Sequence, residues 1–258
     1  MRRRSGGRSD DPSIRIPRVL VTIVLVAITA ARAFAGVEFE NRTVAFSGLT
    51  WLVKGSRGRV GPGPNYFSDG ASNVWVDDHG RLHLRLTHDP IHRRRWDCAE
   101  ILATTSLGFG TYRFSLDTPV DGLDPNVVLG LFTWSDAPAF AHRELDVEFS
   151  RWRDPTNQNA QFVVQPYRHA GDLFRFEEPP GLPQSSHAFT WDTSEVVFES
   201  TSPGGSIAQH AFTSGIPQPG GEQVHMNLWL NRPRGPADGQ EVEVVIRQFE
   251  FDGYSASH

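Results

Sequence analysis

From Gly36 onward, apolar and polar residues alternate with a period of two in short runs, and no stretch sustains the 3.6-residue period of an amphipathic helix. The clearest runs predict strands over 73–77, 81–87, 110–116, 127–134, 144–151, 160–165, 187–191, 196–199, 223–230 and 241–251. Turn residues separate them at close spacing, as in a sandwich or barrel, and about ten strands suffice for two packed antiparallel sheets. The fold class expected is therefore all-β. Irregular composition collects in the connections, notably Gly61-Pro62-Gly63-Pro64, 177–183, 202–206 and 232–238. The Gly-Pro-Gly-Pro stretch reads as a rigid turn, because its prolines lack the N–H donors of a phosphate cradle.

One run carries an unusual cost. In Arg143-Glu144-Leu145-Asp146-Val147-Glu148-Phe149-Ser150, strand alternation puts Glu144, Asp146 and Glu148 on one face and Leu145, Val147 and Phe149 on the other. Asp and Glu are poor strand formers, and like charges along one face repel, so folding alone gives no reason for the acids. Their chemistry does. Two carboxyl groups about 5–5.5 Å apart can cleave a glycosidic bond with retention, one attacking the anomeric carbon and one protonating the leaving oxygen. The Cα atoms of Glu144 and Glu148 stand roughly 13 Å apart on an extended strand, a gap that two glutamate side chains leaning together over a curved strand largely close. With Asp146 between them the three cannot all ionise freely, so one glutamate is expected to hold its proton near neutrality.

Length and composition bound the rest. A chain of 258 residues with 38% hydrophobic content can bury one good core. Its amino terminus is set apart: six arginines between Arg2 and Arg18 precede an apolar run over 19–31 that ends in Ala33-Phe34-Ala35, the layout of a secretion signal. The expected division is a signal peptide over 1–35 and one folded domain over 36–258, secreted to the periplasm or the medium and acting as a monomer. The run is shorter than the roughly 20 residues of a spanning helix, so no membrane association is expected after cleavage. Without the signal the net charge is about −10, which disfavours nucleic acid as a partner. Cys98 is the only cysteine, which excludes an intrachain disulfide. His83, His88 and His92 fall on a strand and a Pro-containing loop rather than on a metal-binding helix, so no metal or cofactor is expected. Of the seven tryptophans, Trp134 and Trp229 lie beside polar residues on alternating strands and suit sugar stacking, whereas Trp51, Trp75 and Trp191 suit the core.

The acidic strand resembles the active-site strand of glycoside hydrolase family 16, whose pattern is Glu-x-Asp-x-Glu. Trp96-Asp97-Cys98-Ala99-Glu100 followed by Gly108-Phe109-Gly110-Thr111-Tyr112 is similar to the strand pair preceding that site in lichenases. Leu131-Phe132-Thr133-Trp134 and Met226-Asn227-Leu228-Trp229 resemble cleft strands of the same family. The resemblance implies a concanavalin A-like jelly roll and an endo-acting β-glucanase on a β-1,3 and/or β-1,3-1,4 polysaccharide. Glu144 would then be the nucleophile, Asp146 its electrostatic partner and Glu148 the general acid/base, with Asn65, Glu100, Phe132, Trp134, Asn227 and Trp229 contacting the glycan. A transglycosylase or a non-catalytic glycan-binding module on the same sandwich are the competing functions. The chain departs from lichenases at Leu102, Val163 and Gln165, where they carry Arg, Asn and Tyr. At Arg247 they carry a calcium-binding Asp, so a structural calcium, although possible, is not predicted.

Overall fold

A computed structural model describes residues 42–89, 91–92, 95–140 and 142–254. The expected signal peptide over 1–35 lies outside the described residues. Among the described residues sixteen strands follow in chain order: β1 (Thr43–Phe46), β2 (Leu49–Val53), β3 (Tyr66–Phe67), β4 (Val74–Val76), β5 (Leu82–His88), β6 (Trp96–Ala103), β7 (Gly110–Leu116), β8 (Val127–Trp134), β9 (Leu145–Phe149), β10 (Ala160–Val164), β11 (Leu173–Phe176), β12 (Ser185–Trp191), β13 (Val196–Ser202), β14 (Gly205–Phe212), β15 (Gln223–Leu230) and β16 (Val242–Gly253). The only helical element among the described residues is a single 3₁₀ turn, Pro138–Phe140. No helix among them is long and apolar enough to cross a membrane.

Two antiparallel sheets face each other. The front sheet runs β11-β10-β9-β8-β15-β6-β2-β1 and the back sheet β4-β5-β16-β7-β12-β13-β14, joined where β5 pairs with the start of β6 through Thr87–Asp97 and His88–Trp96. Aromatic side chains meet between the layers. Phe162 of β10 stacks on Phe198 of β13 at 5.1 Å, and Trp51 of β2 meets Phe249 of β16 edge-on at 5.4 Å. Phe149 of β9 packs on His187 of β12 at 4.6 Å. Burial pushes His187 down to about 3, and each of its ring nitrogens is 2.8 Å from a serine hydroxyl, Ser185 or Ser200. The expected two-sheet jelly roll is the observed architecture.

All ten predicted runs are strands, and the other six show why alternation missed them. β1 and β2 form a hairpin around Ser47-Gly48, both with positive φ (49° and 78°), the signature of a type I′ turn. β3 and β11 are only 2 and 4 residues long. β14 is an edge strand whose side chains are nearly all at least partly exposed, so it carries no oily face, and the expected 202–206 loop is the tight turn joining it to β13. β6 is buried along most of its length, and only the family resemblance pointed to it.

One buried group resists this packing. Glu178 is 2% exposed and neither carboxyl oxygen has a hydrogen-bond partner among the described residues, so burial, reinforced by the charge of Asp121, pushes it up to about 7. The folded state therefore keeps a proton that the unfolded chain releases near 4.5, and stability falls as pH rises from about 4.5 through about 7. Glu178→Gln is expected to remove that fall. Thermal unfolding midpoints of variant and parent should diverge at pH 7.5, with the variant higher, and converge near pH 4.

Candidate active site

β9 sits inside the front sheet between β8 and β10, which fixes its register on both sides. Leu145, Val147 and Phe149 are fully buried in the core, each contributing roughly 1.5–3 kcal/mol. A one-residue slip would turn them toward the cleft and drive the acids into the core. At the entry to the strand the Thr133 hydroxyl accepts from the Leu145 N–H at 3.1 Å and donates to the Arg143 carbonyl at 3.2 Å. This holds Glu144, one residue before β9, in line with Asp146 and Glu148. Asp146 lies between Phe132 and Val163, and Glu148 between Gly130 and Gln161. A Cβ on Gly130 would come 2.6 Å from Asn227 Oδ1, so glycine there leaves the cleft floor open beside Glu148.

The electrostatics differ from the expectation of one protonated glutamate: all three carboxyls are raised. Burial and then the Glu148 charge push Glu144 up to about 8, while a hydrogen bond from Asp146 works in the other direction. Asp146, 2% exposed, is raised by burial and by both glutamates. Asp146 and Glu144 also share a hydrogen bond, which two carboxyls can make only when one of them holds a proton. Burial pushes Glu148 up to about 7 against a hydrogen bond from Gln161 and the charge of Arg175. Asp146 also accepts from the Gln165 amide at 3.0 Å. At neutral pH the trio thus carries fewer than three negative charges, which lets it share one buried face.

The cleft above these acids measures about 650 Å³ and is lined by all three together with Glu100, Phe132, Trp134, Asn227 and Trp229. Trp134 is 37% exposed, with its indole N–H anchored on Asp136 at 2.9 Å. Trp229 meets Trp152 edge-on at 6.3 Å. Trp152 adopts φ 52°, a left-handed conformation that costs a non-glycine residue about 1–2 kcal/mol. Asn227 is fully buried; its amide N–H reaches Glu100 at 3.4 Å and its Oδ1 has no hydrogen-bond partner among the described residues. Trp51 and Trp191 are fully buried, as expected, while Trp75 is half-buried and stacks on His83 at 4.5 Å.

Asn65 corrects the sequence reading. It does not line the cleft: its amide donates to the carbonyls of Pro62 at 2.8 Å and Leu230 at 2.7 Å, tying the 60–65 loop to β15. That loop is more than a rigid turn, since Val60, Gly61 and Pro62 form part of the cleft wall. Gly63, at φ 62°, lets it pass close to Trp229, whose ring would be 3.3 Å from a Cβ there.

The sequence reading also missed Lys54, Trp152, Gln161, Arg175 and His225, all of which line the cleft. Lys54 pairs with Glu100 at 2.9 Å and His225 approaches the same carboxyl at 3.0 Å. Burial would push Glu100 up, but Lys54 and His225 outweigh it and hold the carboxyl down at about 2. Lys54→Met would strand a buried charge, and chemical denaturation is expected to show a loss of roughly 3–5 kcal/mol, much of it recovered in the double variant Lys54→Met/Glu100→Gln.

No group of three or more His, Cys, Asp or Glu among the described residues is arranged to hold a metal ion. His83 bridges Asp77 and Glu243, and Arg247 lies 3.2 Å from Asp117.

No family model matches the chain. A beta-glucanase of Paenibacillus polymyxa is 23% identical over 221 residues, spanning 82% of this chain and 84% of that protein. Among solved structures, the Bacillus licheniformis beta-glucanase aligns with a TM-score of 0.61 at 20% identity, covering 84% of this chain and 96% of that one. An immunostimulatory antigen and pseudo beta-1,3-glucanase of Mycobacterium tuberculosis aligns with a TM-score of 0.58 at 18% identity, covering 80% and 91%. The chain thus resembles the family 16 glucanases in three dimensions, as its motifs do in sequence.

Proposed function

We propose that this chain is a retaining endo-β-glucanase, hydrolysing internal β-1,3 and/or β-1,3-1,4 linkages of a glucan. The observation that carries the proposal is the carboxyl trio on one strand face, at the floor of a cleft walled by tryptophans, with burial keeping part of the set protonated. Glu144, steadied by the Asp146 proton, attacks the anomeric carbon. The bond from that carbon to the glycosidic oxygen breaks, and the leaving oxygen takes the proton of Glu148. Glu148, now a carboxylate, removes a proton from water, which attacks the same carbon, releases Glu144 and restores the starting state. Indole faces suit the C–H face of a glucose ring. The chemistry needs no cofactor.

Activity on the polymer distinguishes this from the competing functions. Reducing ends should appear from β-glucan with the parent and vanish with Glu144→Gln. Glycan binding without cleavage by the parent would establish a binding module instead. Oligosaccharide acceptors that divert most product into longer chains would establish a transglycosylase. The segment 1–35 serves as the export signal in this proposal and the folded domain acts as a monomer, so the exported protein should begin near Gly36 by mass and elute at one-chain size.

A further inference from the structure

Three side chains from three adjacent strands form one rung beside the trio. Gln161 of β10 is the register partner of both Glu148 on β9 and Arg175 on β11. Its Nε2 donates to Glu148 Oε2 at 2.7 Å, and its Oε1 accepts from Arg175 Nε at 3.2 Å. A glutamine amide has a donor end and an acceptor end, and rotation by half a turn exchanges them; which way it points is set by its partners. Glu148 alone would not decide, because a protonated carboxyl can donate and an ionised one can accept. Arginine decides, because every polar atom of a guanidinium is a donor.

We propose that Arg175 is a positioning residue that acts through Gln161 to fix which oxygen of Glu148 carries the acid proton. With Arg175 in place, the oxygen of the amide must face the guanidinium and the N–H must face Glu148. Oε2 is then always an acceptor, and the proton belongs on Oε1, which takes no hydrogen bond from a described residue and belongs to a side chain lining the cleft. Without Arg175 the amide is free to turn, presenting its own oxygen to Glu148 and drawing the proton onto Oε2, away from the substrate. The guanidinium also favours the ionised form of Glu148, so its removal raises the carboxyl further. The other titratable groups facing Glu148 are Glu144 and Asp146 and, across β8, Glu100 and His225 with Lys54; none of them touches the Gln161 amide. Arg175 lies on a strand with no second partner among the described residues, so a variant there disturbs one edge of the sheet.

The role rests on the glucanase reading, and the test separates the two. In Arg175→Met, kcat/KM on β-glucan is expected to fall about tenfold, a part of the 10²–10⁴ that general acid catalysis supplies. On an oligoglucoside with a dinitrophenolate leaving group, which departs without a proton, kcat/KM should stay within about twofold of the parent. The alkaline limb of the glucan profile should move to higher pH, and Arg175→Lys, also a pure donor, should recover most of the loss. Equal losses on both substrates, an unmoved limb, or failure of Arg175→Lys to recover what Arg175→Met loses would overturn the role. Carbon-13 titration of Glu148 in parent and Arg175→Met reads the coupling without turnover. If the parent cleaves no glucan, the glucanase reading fails, while an upward shift of Glu148 in the variant still supports the action of Arg175 and an unchanged titration ends it.

Discussion

Glu144→Gln should abolish turnover, with kcat on β-glucan falling by about 10⁴-fold or more, the scale on which loss of a nucleophile registers. The substitution keeps the shape and the acceptor oxygen facing Asp146 but removes the charge that attacks. Binding should persist, because the tryptophans and the Lys54–Glu100–His225 set are untouched. A polysaccharide retardation gel that shows parent-like affinity, beside a reducing-end assay that shows nothing, is the expected pair of results. Activity retained within tenfold would mean that another group attacks the sugar.

Glu148→Gln separates acid catalysis from nucleophilic attack. On β-glucan the loss should be about 10²–10⁴-fold. For a dinitrophenyl oligoglucoside kcat/KM should remain near the parent's, since it reports formation of the glycosyl-enzyme alone. The pH profile gives an independent reading. Burial raises Glu148 to about 7 and Glu144 to about 8, so the form with Glu144 ionised and Glu148 protonated is most populated between these values, and activity on glucan should fall on either side of them. The two limbs belong to the coupled set rather than to single residues. Because the Glu148 charge helps to raise Glu144, its removal should shift the acid limb on the activated substrate to lower pH, and the residual activity on glucan should lose its alkaline limb. A parent-like bell in Glu148→Gln would assign the acid elsewhere.

The catalytic strand was legible because its information is local: alternation over Glu144–Phe149 is visible within one segment, and the oily half of the alternation states which half faces out. Trp134, Trp229 and Asn227 were legible for the same reason, each lying on a strongly patterned run. Lys54 and His225 were not, since they acquire meaning only by meeting Glu100 from 46 and 125 residues away. Gln161 had a usable signal, as it shares a face with Val163 and Gln165 on a predicted strand, but its partner depends on register with β9. Arg175 had none, because a strand of four residues leaves too short a pattern. Asn65 failed in the opposite direction: a polar residue in a loop looks available, and only the fold reveals that the Leu230 carbonyl already occupies its amide.

The reacting acids all descend from one short segment, whereas the surfaces that surround the polymer come from β6, β8, β15, the 60–62 loop and the bend at Trp152. Reaction and recognition are therefore separately inherited. Exchanging the 60–62 loop or the Trp152 bend for another sequence changes which polymer fits and leaves the bond-breaking unit whole, while a single inserted residue in β9 ends catalysis on every polymer at once. Such a scaffold can change its diet one loop at a time.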